Sequence, residues 1–383
     1  MKRRGEMASD TDALQMHILI APDKFKGSLS AREVAESIAI GLRDVLPDAV
    51  IDKMPIADGG EGTADAIREM CGGEWVTCAA HDALGQPIEA RYIWLRDRAT
   101  AVMEMSEAPG LWRIAPEERD LLRANTCGVG EMIKDAVSRG AKEILIGLGG
   151  SATNDGGLGM ARALGFRFYG SEPEQELERP DELAKLMRVV PGETVNVPRI
   201  IAAVDVRNPL LGERGATRTF GPQKGGTPEQ LEVLEHGLAR LADVVAGDLG
   251  CDFRENPGAG AAGGLGFGLM SFCGASVRPG FDVVAEFVGL KTAIERSDVV
   301  ITGEGRLDEQ TLEGKVPAGV ARLAHDLGKR VFAIVGASSE SPGVRNLFDG
   351  VYVLARKPVT PQEAIARAGE LMQERARELA REL

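Results

Sequence analysis

The chain has 383 residues, 44% of them hydrophobic and only 4% aromatic, with 48 glycines and a formal net charge of −13. That length fits two domains with sizeable cores. The acidic balance works against nonspecific attraction to nucleic acid or to an anionic membrane surface, so an anionic substrate needs a local basic pocket. Cys71, Cys78, Cys127, Cys251 and Cys273 lie far apart and form no CxxC. A disulfide framework or structural zinc site is therefore not expected, and a cytoplasmic setting fits. Residues 1–16 start basic but lack an apolar core, and read as a disordered extension instead of a signal peptide. No apolar run approaches the roughly 18 residues that span a bilayer.

In chain order, a short strand at His17–Ala21 opens into PDKFKGS. Ser30 and Glu33 have capping-box spacing, and Val34, Ile38, Leu42 and Val45 recur on one helical face up to Pro47. A second strand, Ala49–Met54, opens into PIADGGEGT and a helix from Ala64. Two strand–loop–helix units in succession predict a parallel sheet. From Trp75 to Met105 the pattern becomes a β-meander, which puts a domain boundary near residue 75. A helix is expected over Thr126–Arg139, followed by the strand that begins ILIGLGGSATNDGGLGM at Ile144. Residues 171–198 are charged and proline-bounded, a surface excursion without evident chemistry. Arg199–Val204 is a strand leading into DVRNPLLGERGATRTFGPQKGG, and a polar helix runs from about Pro228 to Val245. After PGAGAAGGLGFGL, strands at Ser297–Ile301, Arg330–Val335 and Gly350–Leu354 return the α/β pattern, and Thr360, Pro361 and Glu363 mark the start of the last helix. The expected architecture is α/β: a discontinuous doubly wound, Rossmann- or flavodoxin-like parallel-sheet domain (17–75 and 290–383) with an inserted mixed α/β domain (76–289).

Three loops at strand ends share one composition: Asp58–Thr63, Gly149–Gly157 with Ser151, Asn154 and Asp155, and Thr302–Asp308 with Glu304 and Arg306. Glycine permits positive φ, and successive exposed N–H groups form an anion nest. An acid in such a nest suits a phosphate only with a cation between them, and Mg²⁺ commonly bridges a carboxylate and a phosphate. In doubly wound sheets, ligands bind beyond the carboxyl ends of the strands. The competing structural reading is that the glycines make tight turns and the acids cap the following helices. Cations occur nearby in sequence: Lys24 and Lys26 after the first strand, Lys224 in FGPQKGG, and Arg306 and Lys315 in the third loop. Asp205, with Asn208, ends a further strand and suits a general base or a metal ligand.

No Walker A motif occurs, which argues against a P-loop NTPase. Gly147–Ala152 matches GxGxxG/A after a strand, but no ribose-binding acid ends a second strand, so a nicotinamide dehydrogenase is disfavoured. His17, His81, His236 and His325 are scattered, which removes support from metal- and serine-hydrolase readings.

APDKFKGSLSA, PIADGGEGT, GLGGSATNDGGLGM, VDVRNPLLGERGA, FGPQKG, PGAGAAGGLG and VITGEGRLDEQTLEGKVP together resemble the bacterial glycerate kinase family that lacks a Walker A motif. The resemblance covers nearly everything from residue 17 onward. It implies two α/β domains with the site between them, and transfer of phosphate from ATP to D-glycerate with Mg²⁺. It also implies a role in the breakdown of organic and sugar acids, with 2-phosphoglycerate the favoured product and 3-phosphoglycerate the alternative. A non-catalytic sugar-acid sensor on the same fold, or a kinase for another short hydroxy acid, is the rival. Within that frame, Lys24 or Arg306 would hold the substrate carboxylate, with Asn208 also on the substrate. Gly149, Gly150, Ser151, Asn154, Gly156, Gly260 and Gly263 would cradle the nucleotide. Asp58, Glu61, Asp155 and Glu304 are the candidate metal ligands. Asp205, Lys24, Asp58 and Lys224 are the candidate catalytic groups. No nucleic-acid or membrane partner is expected; oligomeric state is not legible.

Overall fold

The computed structural model describes residues 15–171, 176–192, 197–309, 311, 315–339, 342–356 and 359–383. Residues 1–14 of the expected extension lie outside these. The chain forms two compact units, one comprising the chain to Pro55 with Gly289–Leu383, the other Ile56–Val288.

The first unit is built on a five-stranded sheet, all parallel, in the order Gly350–Val353, Arg330–Val335, Val299–Thr302, His17–Ile20, Val50–Lys53. From His17–Ile20 the chain steps to Val50–Lys53 on one side, then returns to the other side of His17–Ile20 at Val299. This makes a topological switch point between these two strands. Short runs such as VVIT are buried at every position because both sheet faces are covered. Helix Ala31–Arg43 starts at a complete capping box: Ser30 Oγ accepts from the Glu33 N–H, and the Glu33 carboxylate accepts from the Ser30 N–H. Its face Val34, Ile38 and Leu42 is fully buried, together with Leu371 and Met372 of helix Ala368–Ala380. Each such side chain contributes about 1.5–3 kcal/mol of burial free energy. Gly41 lets the two helices touch, since a Cβ there would lie 2.4 Å from the Gln373 carbonyl oxygen.

The second unit holds a six-stranded mixed sheet in the order Ser276–Pro279, Arg199–Val204, Glu143–Gly147, Thr100–Glu104, Pro87–Leu95, Glu74–His81. The first four strands are parallel and the last two antiparallel. The meander expected over 75–105 is present as three successive antiparallel strands, and the free edge of the third, Thr100–Glu104, pairs in parallel with Glu143–Gly147. The division between units falls after Pro55 and not near residue 75. Helix Thr63–Cys71 packs against helix Gly280–Val288 and the strand Thr100–Glu104, so it belongs with the second sheet. The helices expected over 126–139 and 228–245 span Cys127–Ser138 and Pro228–Leu249.

The parallel strands end in step: Glu104 pairs with Gly147, Gly147 with Ala203, and Val204 with Pro279. Loops 105–113, 148–157 and 205–215, and residue Gly280, therefore leave from one edge.

Candidate active site

In the second unit, loop 56–62 lies across this carboxyl edge because glycines let backbones touch. A Cβ at Gly59 would stand 2.8 Å from Gly280 Cα, one at Gly147 2.4 Å from the Gly59 carbonyl oxygen, and one at Gly149 3.1 Å from Gly60 Cα. At Gly280 a Cβ would meet the Asp58 carbonyl oxygen at 1.7 Å and an Asp205 carboxylate oxygen at 2.7 Å. The structure thus brings Asp58, Asp205 and the start of the 149–157 loop to one place. Asp58 is half-buried, its Oδ1 accepting from the Gly60 N–H at 3.0 Å; Glu61 and Asp205 are exposed.

Sequence reasoning missed Glu104 here. Its Oε1 accepts from the N–H groups of Gly62 and Ala64 at 2.9 and 3.0 Å, capping helix Thr63–Cys71 from a neighbouring strand. Burial raises its pKa against the pull of these two bonds. The available signal was its place as an acid at a strand end, like Asp205.

The 149–157 loop divides into two parts. Gly149 and Gly150 are accessible, while Ser151–Gly157 is buried. Asp155 is 0% exposed. Its Oδ2 accepts from the Thr126 N–H and hydroxyl at 2.9 and 2.8 Å and from the Gly159 N–H at 2.9 Å; its Oδ1 accepts from Gly157 N–H at 3.1 Å. A carboxylate has about four acceptor sites, and with three bonds on Oδ2 and one on Oδ1 this buried group is largely committed to protein donors. Asp155, expected as a Mg²⁺ ligand, clamps the loop to helix Cys127–Ser138. Thr126 was the missed partner. Asn154, also fully buried, donates to Thr217 Oγ1 at 3.0 Å and keeps an unpartnered Oδ1.

Lys224 is buried beneath the same loop, its Nζ donating to Ser151 Oγ at 2.7 Å and to the Thr153 carbonyl at 2.6 Å. Burial pushes the ammonium down to about 7 from an ordinary 10.5, with the nearby Asp155 charge opposing the shift. The folded state therefore sheds this proton between about pH 7 and 10.5 while the unfolded chain keeps it. The stability contribution rises with pH through that window and is lost as pH falls through about 7. In urea unfolding, the stability gap between the parent and Lys224→Met is expected to move in the parent's favour by up to about 1.4 kcal/mol per pH unit across the window. A pH-independent gap would show that Lys224 does not titrate there.

The second glycine run packs against the first. Gly260 and Gly263 are buried, and Gly263 accepts at its carbonyl from the Gly156 N–H at 3.0 Å. A Cβ on Gly263 would sit 1.9 Å from the Thr153 carbonyl oxygen, and one on Gly260 2.2 Å from that of Pro209. Together with Gly156, these positions are where main chain packs on main chain, a packing role distinct from the one expected of them at the phosphates. Ala262, Gly263 and Gly264 are all left-handed, with φ of 53°, 68° and 88°. Gly263→Ala is expected to destabilise the protein by about 3 kcal/mol or more, through backbone overlap and positive φ together; an unchanged urea midpoint would show that the loops can part.

Asn208 donates from Nδ2 to the Arg214 carbonyl at 2.6 Å, and its own carbonyl accepts from Gly260 N–H, so part of its role is holding the 205–215 loop.

In the first unit, loops 21–28 and 302–308 leave the switch point side by side. Asp23 N–H donates to the Gly303 carbonyl at 2.8 Å, and Thr302 Oγ1 to the Ala21 carbonyl at 2.8 Å. Glu304 is 5% exposed, accepts from Thr311 Oγ1 at 2.7 Å, and has Lys315 Nζ at 3.7 Å; burial raises its pKa. Asp308 lies 3.6 Å from Lys315 and 3.5 Å from the exposed Arg306. Lys24 is half-buried in the adjoining loop. Lys24, Glu304 and Arg306 are therefore gathered at the switch point, while Asp58, Asp205 and Lys224 belong to the other unit.

Among the described residues, no group of three or more His, Cys, Asp or Glu side chains is placed to hold a metal. Mg²⁺, however, is usually held by one or two carboxylates plus substrate phosphate oxygens. Beside Gly280 the Asp205 carboxylate lies near the Asp58 main-chain carbonyl.

The model of the glycerate kinase family matches residues 18–383. A glycerate kinase from Bacillus subtilis (strain 168) is 40% identical over 371 residues, covering 95% of this chain and 97% of that protein. A glycerate 2-kinase from Escherichia coli (strain K12) is 40% identical over 362 residues, covering 92% and 94%. Among solved structures, a Salmonella typhimurium LT2 protein assigned as glycerate kinase 2 superposes with a TM-score of 0.85 at 40% identity, covering 96% of this chain and 98% of its own. With the fold, the glycine loops and nearly the whole length matched, the chain belongs to the glycerate kinase family and is a kinase.

Proposed function

We propose that the chain transfers the γ-phosphoryl group of ATP to D-glycerate, giving 2-phosphoglycerate, as a cytoplasmic step of organic-acid breakdown. The observation that carries this reading is the meeting of Asp205, Asp58 and the accessible amides of Gly149 and Gly150 at one sheet edge. Phosphoryl transfer is mostly positioning and charge stabilisation. Gly149 and Gly150 offer N–H groups to phosphate oxygens, and Lys224 with Asp155 keeps the loop behind them in shape. Asp205 accepts the proton of the attacking hydroxyl. Lys24 or Arg306 holds the glycerate carboxylate. Mg²⁺, carried by Asp58 with Asp205 or Glu61, would neutralise charge on the transferred group. The free state of all five cysteines and the lack, among the described residues, of any helix long and apolar enough to cross a membrane suit that setting.

Phosphorus NMR of the product tests both activity and position. With D-glycerate, ATP and Mg²⁺, the new resonance is expected as a doublet, coupled to the single C2 proton. A triplet from the C3 proton pair would assign 3-phosphoglycerate. Absence of any ester signal, with glycerate still bound, would establish a sensor in place of a kinase.

A further inference from the structure

Trp112 is 66% exposed, the most exposed large hydrophobic side chain among the described residues. It sits in the loop that follows strand Thr100–Glu104, at the same carboxyl edge as Asp205 and the 149–157 loop. The two loops are stitched together. Leu111 N–H donates to the Gly150 carbonyl at 2.8 Å, Ala152 N–H donates to that of Pro109 at 2.9 Å, and Gly110 forms a bridge with Ser151.

An exposed indole gains little from burial and normally keeps its rotamer freedom. This one is held in place. Its Nε1 donates to the Ser106 carbonyl at 3.0 Å, and the Arg113 guanidinium lies 4.3 Å from the ring centroid. Arg113 is itself only 17% exposed, donating to the Glu89 carbonyl at 3.3 Å with Glu107 at 3.7 Å. Gly110 makes the arrangement possible, because a Cβ there would lie 2.7 Å from Trp112 Nε1. The result is a fixed aromatic plane with a cation against it and much of its surface open, two residues from the accessible part of the glycine loop.

We propose that Trp112 is the stacking platform for the base of the nucleotide whose phosphates lie at Gly149–Gly150. The inference rests on the phosphate reading of that loop. Of the two substrates in that reading, only the nucleotide carries a π-face. Base–aromatic stacking also tolerates different bases, so Trp112 sets affinity for nucleotides over bare phosphate more than choice among bases.

The test is calorimetric binding of Mg²⁺–ADP and of Mg²⁺–tripolyphosphate to the full chain, comparing the parent with Trp112→Ala, Trp112→Phe and Gly150→Val. Trp112→Ala is expected to weaken ADP by about 10-fold and Trp112→Phe by less than about 3-fold, with tripolyphosphate unchanged in both. ADP binding to Trp112→Ala within about two-fold of the parent would overturn the platform while leaving the loop reading intact. Tripolyphosphate binding unaffected by Gly150→Val would instead remove the loop reading, and the inference with it. If sedimentation shows that Trp112→Ala dissociates an oligomer present in the parent, Trp112 is a contact between copies and not a base platform.

Discussion

Asp205→Asn is expected to lower kcat by about 10²–10⁴ with the fold intact, the range for loss of a positioned general base. Asparagine keeps the size of the side chain but removes its ability to take a proton. The residue is exposed at the end of strand Arg199–Val204, so little packing is disturbed. Steady-state rates with saturating ATP and D-glycerate measure the effect, and thermal unfolding of the variant checks its integrity. A rate within a few-fold of the parent would remove Asp205 from the proton-transfer role. Restoration of the lost rate by high Mg²⁺ would assign it to the metal instead, because proton acceptance is not recovered by adding cation.

The second large effect is on stability. Asp155→Asn is expected to destabilise the protein by about 2–4 kcal/mol, and Asp155→Ala by at least as much. Four donors converge on the carboxylate in a site without solvent access. An amide in its place points an NH₂ group at one set of them, and a methyl group leaves all four unsatisfied. Urea unfolding measures the loss. In the folded fraction, the Mg²⁺ concentration for half-maximal rate should match that of the parent. A variant as stable as the parent, but needing much more Mg²⁺, would return Asp155 to the metal.

These two aspartates show where sequence and structure part company. Both are acids in polar loops at strand ends, and local pattern treats them alike. Asp205 is exposed, whereas Asp155 turns inward because Thr126, twenty-nine positions earlier, supplies two donors to it. Glycine was ambiguous in the same way. The runs at 258–264 and 149–157 are both glycine-rich, but backbone of one lies on backbone of the other, so the absent Cβ atoms serve packing. Lys224 was singled out as a cation near phosphate, yet its Nζ faces Ser151 and the Thr153 carbonyl from below.

What the residue order determined by itself was the local and the periodic: the capping boxes at Ser30 and Thr360, the buried stripe Val34–Ile38–Leu42, the parallel strands with their loops, and the family. These depend on interactions within a few residues, or on motifs long enough to be specific without coordinates. Tertiary structure alone decided which acid stays open to solvent and which is enclosed among donors, that Glu104 caps a helix from another strand, and that Trp112 is pinned beside Gly150. Each of those outcomes depends on partners distant in sequence, and on whether a donor, a backbone or solvent occupies the few ångströms around a side chain.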